Sequence, residues 1–185
     1  SAAIWFRGIV PAGLVLIIVS TAPAKYSGGT GEPNDPYQIA TAADLIALGE
    51  TPEDYDKHFI LTADIDLDPN LPGRKVFDKA VIAPDVNDTD GGFQGTAFGG
   101  VFDGNGHTIS HLTIDGMDYI GLFGQMLSDA EVRDIGLIDA KIVGSGVVGG
   151  LVGFNGNNWD DWWNDWPVGG IVRGCYATGL VNGYW

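Results

Sequence analysis

The sequence predicts an all-β protein built as a parallel β-solenoid, in which successive coils of short strands stack on one another. Three observations favour this class. Glycine occupies 29 of 185 positions, against an average usage of about 7%. Short apolar runs alternate with Gly, Asn and Asp, and two stretches of the chain repeat one plan. Because glycine readily adopts the positive φ that tight corners need, its abundance fits closely spaced turns.

The repeat is clearest in two blocks, residues 121–124 (Gly-Leu-Phe-Gly) and 150–153 (Gly-Leu-Val-Gly). Each block precedes a polar stretch and then a β-rich segment, residues 131–144 or 171–183. Alignment of the two segments superimposes Val132 on Val172, Arg133 on Arg173, Ile135 on Cys175, Leu137 on Ala177 and Gly144 near Gly183. The repeat predicts that one segment stacks on the other, with the thiol of Cys175 facing inward as a small apolar group.

An earlier segment, residues 98–116, resembles the two repeats less closely and also alternates short apolar runs with Gly, Asn and Asp. In it Ile109 is flanked by polar residues, which is the pattern of a half-buried strand. The alternation changes phase at His111 and Leu112, and this change predicts a bend there.

Upstream of the repeats the sequence predicts one short helix. Thr41 and Asp44 have the spacing of a capping box, and Gly49 is a stop signal. We expect this helix to cover the open N-terminal end of the solenoid, whose strand edges would otherwise recruit another chain. Residues 58–67 are predicted to form a strand, and residues 85–92 a loop.

The first 24 residues have the pattern of a signal peptide. Arg7 precedes an apolar run at residues 8–19, and the small-residue motif Ala22-Pro23-Ala24 follows it. That run is shorter than the roughly 20 residues that a transmembrane helix needs. We therefore expect a secreted or cell-surface protein whose mature chain begins near Lys25.

Charge and composition exclude several classes of function. The formal net charge is −15, and loss of Arg7 with an acid-free leader would bring it to −16. A nucleic-acid-binding protein needs a basic face instead. The single cysteine, Cys175, cannot form an internal disulfide or a zinc site built on several thiolates. The three histidines lack the H-E-x-x-H spacing of zinc hydrolases.

Several blocks resemble the GLUG-repeat proteins and occur in that family's order. The blocks are Tyr37-Gln-Ile-Ala-Thr-Ala-Ala-Asp-Leu45, Phe59-Ile-Leu-Thr-Ala-Asp-Ile-Asp-Leu67, Gly100-Val-Phe-Asp-Gly-Asn-Gly-His-Thr-Ile109, Gly149-Gly-Leu-Val-Gly-Phe-Asn155 and Cys175-Tyr-Ala-Thr-Gly179. The resemblance covers residues 26–183. It implies a right-handed parallel β-helix and a large secreted or surface-exposed bacterial protein whose repeats are not catalytic. In one departure, the stretch 155–170 is longer than the short turn usual at that place in the family.

Together these features divide the chain into three parts. We expect a signal peptide at residues 1–24, an N-terminal cap with the first coils at 25–97, and GLUG-type coils at 98–185 that are truncated at their C-terminal end.

The long stretch holds four of the six tryptophans. Trp159, Trp162, Trp163 and Trp166 have the spacing of one helix face, and Asp160, Asp161 and Asp165 belong to the other. These rings could pack on the flank of the solenoid. Alternatively, exposed rings could stack on sugars while the carboxylates bind hydroxyl groups. The sequence leaves both possibilities open, and these seven residues are the candidate ligand site.

Two acidic clusters are candidate calcium sites, because Ca²⁺ takes hard oxygen ligands. One consists of Asp64, Asp66 and Asp68, which alternate along the predicted strand, and the other of Asp85, Asn87, Asp88 and Asp90 in the predicted loop. An EF-hand is excluded, because Pro69 and Lys75 stand where that motif needs Gly and Glu. A solvated acidic face is the alternative, and the sequence implies no other cofactor.

The favoured function is a structural or adhesive module, with extracellular polysaccharide or another surface protein as the candidate partner. Binding would use many weak contacts along a long face, multiplied by repeat number. We expect contact with a membrane only through the signal segment.

The alternative is a catalytic or non-catalytic part of a polysaccharide lyase or glycoside hydrolase, since such enzymes share the β-helix fold. Asp160 and Asp161 argue against catalysis, because neighbours on a helix do not face each other as an acid and a base must. Arg133 and Arg173 align between the repeats, which favours a structural role for them. We therefore expect no enzymatic activity and no catalytic residues.

Overall fold

The computed structural model describes residues 25–87, 89, 91–156 and 169–184. The predicted signal peptide, residues 157–168 with their tryptophans, and Asp88 and Asp90 lie outside the described residues. The described part is mostly β-structure, with one α-helix, α1 (Ala42–Gly49), and one 3₁₀ turn (Pro52–Asp54). Its strands are β1 (Tyr37–Ile39), β2 (His58–Leu61), β3 (Ile65–Asp66), β4 (Val101–Asp103), β5 (Thr108–Ser110), β6 (Thr113–Asp115), β7 (Phe123–Met126), β8 (Glu131–Arg133), β9 (Gly136–Ser145), β10 (Val152–Asn155), β11 (Ile171–Arg173) and β12 (Tyr176–Tyr184).

These strands form three sheets, and every pairing between them is parallel. The first sheet has the order β1-β2-β4-β8-β11, the second has the order β3-β5-β9-β12 with β6 also on β9, and the third contains β7 and β10. Parallel neighbours need a crossover connection, so the chain must leave each sheet before it returns. The all-β class expected from the sequence is confirmed, and the sheets are parallel.

The chain visits the three sheets in a fixed cycle, and we call one passage through the cycle a circuit. It passes from β4 to β5 and β6, then to β7, and repeats the order with β8, β9 and β10 before β11 and β12. Earlier, after β2 and β3, Ile82 and Phe98 form parallel bridges to the two ends of β7. From β4 onward, each full circuit therefore contributes to all three sheets, beside the strands of its predecessor.

The register between circuits matches the alignment of the two sequence repeats. Val172 pairs with Val132, Arg173 with Arg133, Ala177 with Leu137, Gly183 with Gly144 and Val152 with Phe123. The predicted stacking of residues 171–183 on residues 131–144 is thus confirmed. The thiol of Cys175 is half-buried against the core.

The core is a column of side chains shared by successive circuits. Phe59, Phe98, Phe102 and Phe123 are at most 1% exposed, with ring centroids 5.1 to 6.4 Å apart along the column. These spacings are those of favourable stacked, tilted and edge-on aromatic pairs. Burial of such large rings is the main source of stability in the described chain.

Helix α1 begins as the sequence predicts. The N–H of Asp44 donates to Thr41 Oγ1 at 3.1 Å, and the N–H of Thr41 donates to Asp44 Oδ2 at 3.0 Å, which completes the capping box. Leu45 and Leu48 are fully buried and join the core beside Ile39. The short helix is therefore held by its cap and by its apolar face.

The single strand predicted at residues 58–67 is wrong, because β2 and β3 are separate strands of different sheets. Between them, Asp64 Oδ1 accepts the N–H of Thr108 at 2.8 Å. The chain turns here from the first sheet to the second. The bend predicted near His111 is confirmed, since this residue has a φ of 56°, a value that L-residues adopt mainly at turns.

The glycines of the two repeat blocks are not the ones that supply the positive φ expected at corners. Gly121, Gly124, Gly150 and Gly153 are absent from the positive-φ residues of the described chain. A Cβ on Gly153 would lie 2.8 Å from the Gly124 carbonyl oxygen, and one on Gly124 would collide with the Ala83 carbonyl. Glycine is needed at Gly124 and Gly153 because adjacent circuits approach closely there, whereas a Cβ on Gly150 would make only ordinary contacts at 3.4 Å or more. Positive φ is instead found at corners such as Gly174.

Candidate functional site

The base of the tryptophan-bearing stretch is firmly attached to the circuits. The Asn155 side chain binds the backbone of Gly170 twice: its Oδ1 accepts the N–H at 2.6 Å, and its Nδ2 donates to the carbonyl oxygen at 3.0 Å. Ile171 then resumes pairing, because its N–H donates to the Ala130 carbonyl at 2.8 Å. A side-chain amide can mimic a backbone turn in this way. The stretch therefore leaves and rejoins the sheets at one closed point.

This stretch is an insertion relative to the preceding circuit. Residues 127–130 connect β7 to β8, whereas residues 156–170 connect β10 to β11. A Cβ on Gly170 would lie 2.6 Å from the Leu127 carbonyl oxygen, so the return point requires glycine. The connection from β10 to β11 is therefore longer than its counterpart one circuit earlier.

The predicted ligand residues, Trp159, Asp160, Asp161, Trp162, Trp163, Asp165 and Trp166, lie outside the described residues. Their role stays a prediction.

Two of the predicted calcium ligands instead meet histidines of the adjacent circuit. Asp64 Oδ1 lies 3.2 Å from His107 Nδ1, and Asp66 Oδ1 lies 2.9 Å from His111 Nδ1. The N–H of Thr108 and then His107 lower the pKa of Asp64. His111 is the main cause of the lowered pKa of Asp66, and this aspartate raises the pKa of His111. Both pairs are partly exposed, and they join the ends of β3 to the ends of the adjacent strand β5.

The remaining predicted calcium ligands mainly stabilise their own turns. Asp68 Oδ1 accepts the backbone and side-chain N–H groups of Asn70 at 2.9 and 2.8 Å. Asp85 is buried, and its Oδ1 accepts the N–H groups of Asn87 at 3.2 Å and of Gln94 at 3.0 Å. Within the described ranges no three His, Cys, Asp or Glu side chains are grouped to hold one metal ion. Calcium binding by the two clusters stays a prediction, since Asp88 and Asp90 are not described.

A row of alternating charges crosses the first sheet. Arg133 binds Asp103 through Nε at 2.9 Å and Nη2 at 2.7 Å, and Glu131 through Nη1 at 3.3 Å. Arg173 binds the same Glu131 oxygen from the next circuit, through Nε at 2.8 Å. Burial alone would raise the pKa of Glu131, but hydrogen bonds from Arg173 and Arg133 outweigh it and leave the pKa lowered. The sequence indicated the aligned arginines but not their acidic partners, which only the register reveals.

Two shallow cavities lie side by side at the end of α1. The first has a volume of about 240 Å³ and is lined by Glu50, Lys75, Asp78 and Lys79 over an apolar floor. The second, of about 230 Å³, shares Glu50 with it. Mixed charges of this kind do not select one class of ligand. No helix in the described residues is both long and apolar enough to span a bilayer.

Comparisons with known proteins relate the chain to small parts of longer ones. It is 33% identical over 165 residues to halomucin of Haloquadratum walsbyi, an alignment that covers 88% of this chain and 2% of halomucin. It is 34% identical over 143 residues to a Gly-rich membrane protein of Evansella cellulosilytica, with coverage of 70% and 14%. No family model matches the chain, and no solved structure matches it.

Proposed function

We propose that the chain is a right-handed parallel β-helix, a solenoid resembling the GLUG-repeat proteins, with α1 covering its N-terminal end. Its role would be that of a non-catalytic structural or adhesive module in a secreted or cell-surface protein. The observation that carries this proposal is the cyclic visit to three parallel sheets, with each circuit in register on the last. Stacked repeats of this kind present long regular faces, as spacers and adhesive modules require.

The last described circuit supports a role in stacking. Val172 is 42% exposed, whereas Val132, its partner in register on the preceding circuit, is fully buried. The face that β11 and β12 present is therefore of the kind that each earlier circuit covers with the next. The two relatives are far longer than the part this chain matches, which is 2% of one and 14% of the other.

The acidic balance supports a location outside the cell, together with the predicted leader. Residues 25–185 carry 8 basic and 24 acidic side chains, and a high net charge keeps an exposed protein soluble. One of the relatives is described as a membrane protein.

We further propose that the inserted tryptophan residues bind extracellular polysaccharide. The anchored base at Asn155 and Gly170 supports this, because it allows the insertion to vary without disturbing the paired strands. Aromatic rings supply a large apolar area with directional preferences that suit sugar faces.

Intrinsic fluorescence of residues 25–185 tests the binding proposal. Of the six tryptophans, Trp5 precedes this range and only Trp185 lies outside the insertion, so the insertion dominates the signal. We expect a saturable spectral shift with one or more polysaccharides of a panel, abolished by Trp162→Ala and Trp163→Ala. Tyr184→Ala, which removes an exposed aromatic ring from β12, is the matched control and should keep the shift.

A blue spectrum that responds to no polysaccharide would leave a structural module without a glycan ligand. Repeating the titration in calcium and in EDTA shows whether the ion contributes. The same mixtures, assayed for new reducing ends or unsaturated products, should show no cleavage, and their appearance would favour the enzyme alternative.

A further inference from the structure

We propose that Asn87 is the acceptor of an N-linked glycan. Asn87, Asp88 and Thr89 form an Asn-x-Thr sequon whose middle residue is not proline, the pattern that N-glycosylation requires. Each other asparagine in the sequence lacks Ser or Thr two residues later. The inference rests on the proposed export of the chain, because the transfer takes place on exported proteins.

The two residues that define the sequon are in contact in the folded chain. The hydroxyl of Thr89 donates to Asn87 Oδ1 at 2.7 Å, and the N–H of Thr89 donates to the same oxygen at 3.2 Å. The carboxamide and the hydroxyl are thus already paired.

The surroundings of Asn87 have room for a sugar. Val86 is 66% exposed, and Thr89 is also exposed. A Cβ built on Gly91 or Gly92 would meet nothing within 4 Å. Glycans are bulky and hydrophilic, so they attach to open surface loops of this kind.

The loop that carries Asn87 lies between two residues that bridge to β7, Ile82 and Phe98, and extends away from the paired strands. His58 and Val101 are partners in register 43 residues apart, whereas Val101 and Glu131 are only 30 apart. Part of this additional chain length lies between Ile82 and Phe98, the residues that bridge to β7. The buried carboxylate of Asp85 holds the loop through the N–H groups of Asn87 and Gln94. A glycan at the tip would leave the core unchanged.

The co-reactant is an oligosaccharide linked through phosphate to a lipid, used by a membrane transferase. Asn87 Nδ2 forms a bond to the anomeric carbon of the sugar, and the bond from that carbon to the phosphate oxygen breaks. The lipid phosphate leaves with the electron pair, and one amide proton passes to a base of the transferase. No oxidant or reductant is involved.

The test is expression of residues 25–185, which include every described residue, in a eukaryotic host that N-glycosylates secreted proteins. The host's own signal peptide is used, so that failure of residues 1–24 to direct export cannot affect the result. Intact mass should show one glycan that peptide N-glycosidase removes. Asn87→Gln and Thr89→Ala should each reduce occupancy to background, and Thr89→Ser should retain it.

Pro72→Thr provides the matched control, because it creates a second sequon at Asn70, an exposed loop residue. This variant should carry two glycans. The inference is overturned if the Pro72→Thr variant carries one glycan, at Asn70, while Asn87 stays unmodified, or if the glycan persists in Asn87→Gln. Export by residues 1–24 and polysaccharide binding are measured separately, so failure of the proposed function is distinguishable from failure of this inference.

Discussion

Two side-chain pairs connect neighbouring circuits where β3 lies beside β5. The pair Asp66 and His111 is the shorter of the two histidine contacts, at 2.9 Å. Asp68 and Asp139 also raise the pKa of His111, and Arg74 acts on Asp66. A group whose pKa is raised by folding adds stability below its unfolded value, and that stability is lost as the pH rises through the folded value. Folding lowers the pKa of Asp66 instead, so the stability that this carboxylate adds is lost only as the pH falls through the lowered value.

The pair should therefore stabilise the fold between the lowered pKa of Asp66 and the raised pKa of His111. We expect His111→Asn to reduce the free energy of unfolding more at about pH 5 than at about pH 9. Asparagine is chosen because it tolerates the φ of 56° at this position. Urea unfolding of both proteins at the two pH values measures the difference.

Asp66→Asn supplies the control for this experiment through a double-mutant cycle. Once Asp66 has been replaced, the additional His111→Asn change should cost little at either pH. An equal loss at both pH values, or a larger loss in alkali, would show that the pair does not contribute as proposed.

Stacked strands place equivalent residues in different surroundings. Ile142 of β9 and Val181 of β12 are partners in register, yet the first is fully buried and the second is 46% exposed. Ile142→Ala should lower the free energy of unfolding by about 2–5 kcal/mol, because it leaves a cavity in the core. Val181→Ala, the matched variant, should cost less than about 1 kcal/mol. Equilibrium urea unfolding compares them, and equal losses would contradict the burial of β9 by its neighbour.

The sequence was sufficient to predict the stacking of one repeat on the other, because each circuit repeats its inward positions at the same spacing. It failed at residues 58–67, where apolar alternation continues through a turn that Asp64 makes. It correctly indicated glycines with positive φ at corners, but not the close approach between circuits at Gly124 and Gly153, which leaves no local pattern. The partners of Asp64 and Asp66 lie 43 and 45 residues away, so only the register could reveal them. Asp103 and Glu131, the acidic partners of Arg133, were missed for the same reason.

The molecule as a whole carries far more negative charge than its ion pairs can balance. Because residues 25–185 hold 24 acidic and 8 basic side chains, repulsion between carboxylates opposes the compact state. We expect the Tm to rise with NaCl, most steeply where the Debye length falls from about 30 Å at 0.01 M to about 10 Å at 0.1 M.

Ion pairs such as that of Arg133 and Asp103 weaken in salt. The dependence of the Tm on NaCl therefore also shows whether the repulsion between carboxylates or the attraction within the ion pairs is larger. A scan in a neutral osmolyte controls for effects of solute exclusion. A Tm that falls or stays level as NaCl is added would mean that the local pairs outweigh the net charge.

Each circuit lies directly on the last, and one distance tests this stacking over the whole first sheet. Gln38, Ile60, Asp103, Arg133 and Arg173 share one register position on β1, β2, β4, β8 and β11. Gln38 and Arg173 are both exposed, so each can carry a spin label after substitution by Cys in a Cys175→Ser background. Four strand spacings of roughly 4.8 Å predict a Cα separation of about 19 Å between residues 135 positions apart. Double electron–electron resonance should give a single narrow distribution, centred at about 20–25 Å once the label arms are included. A broad distribution, or one centred beyond about 35 Å, would contradict parallel in-register stacking of the circuits.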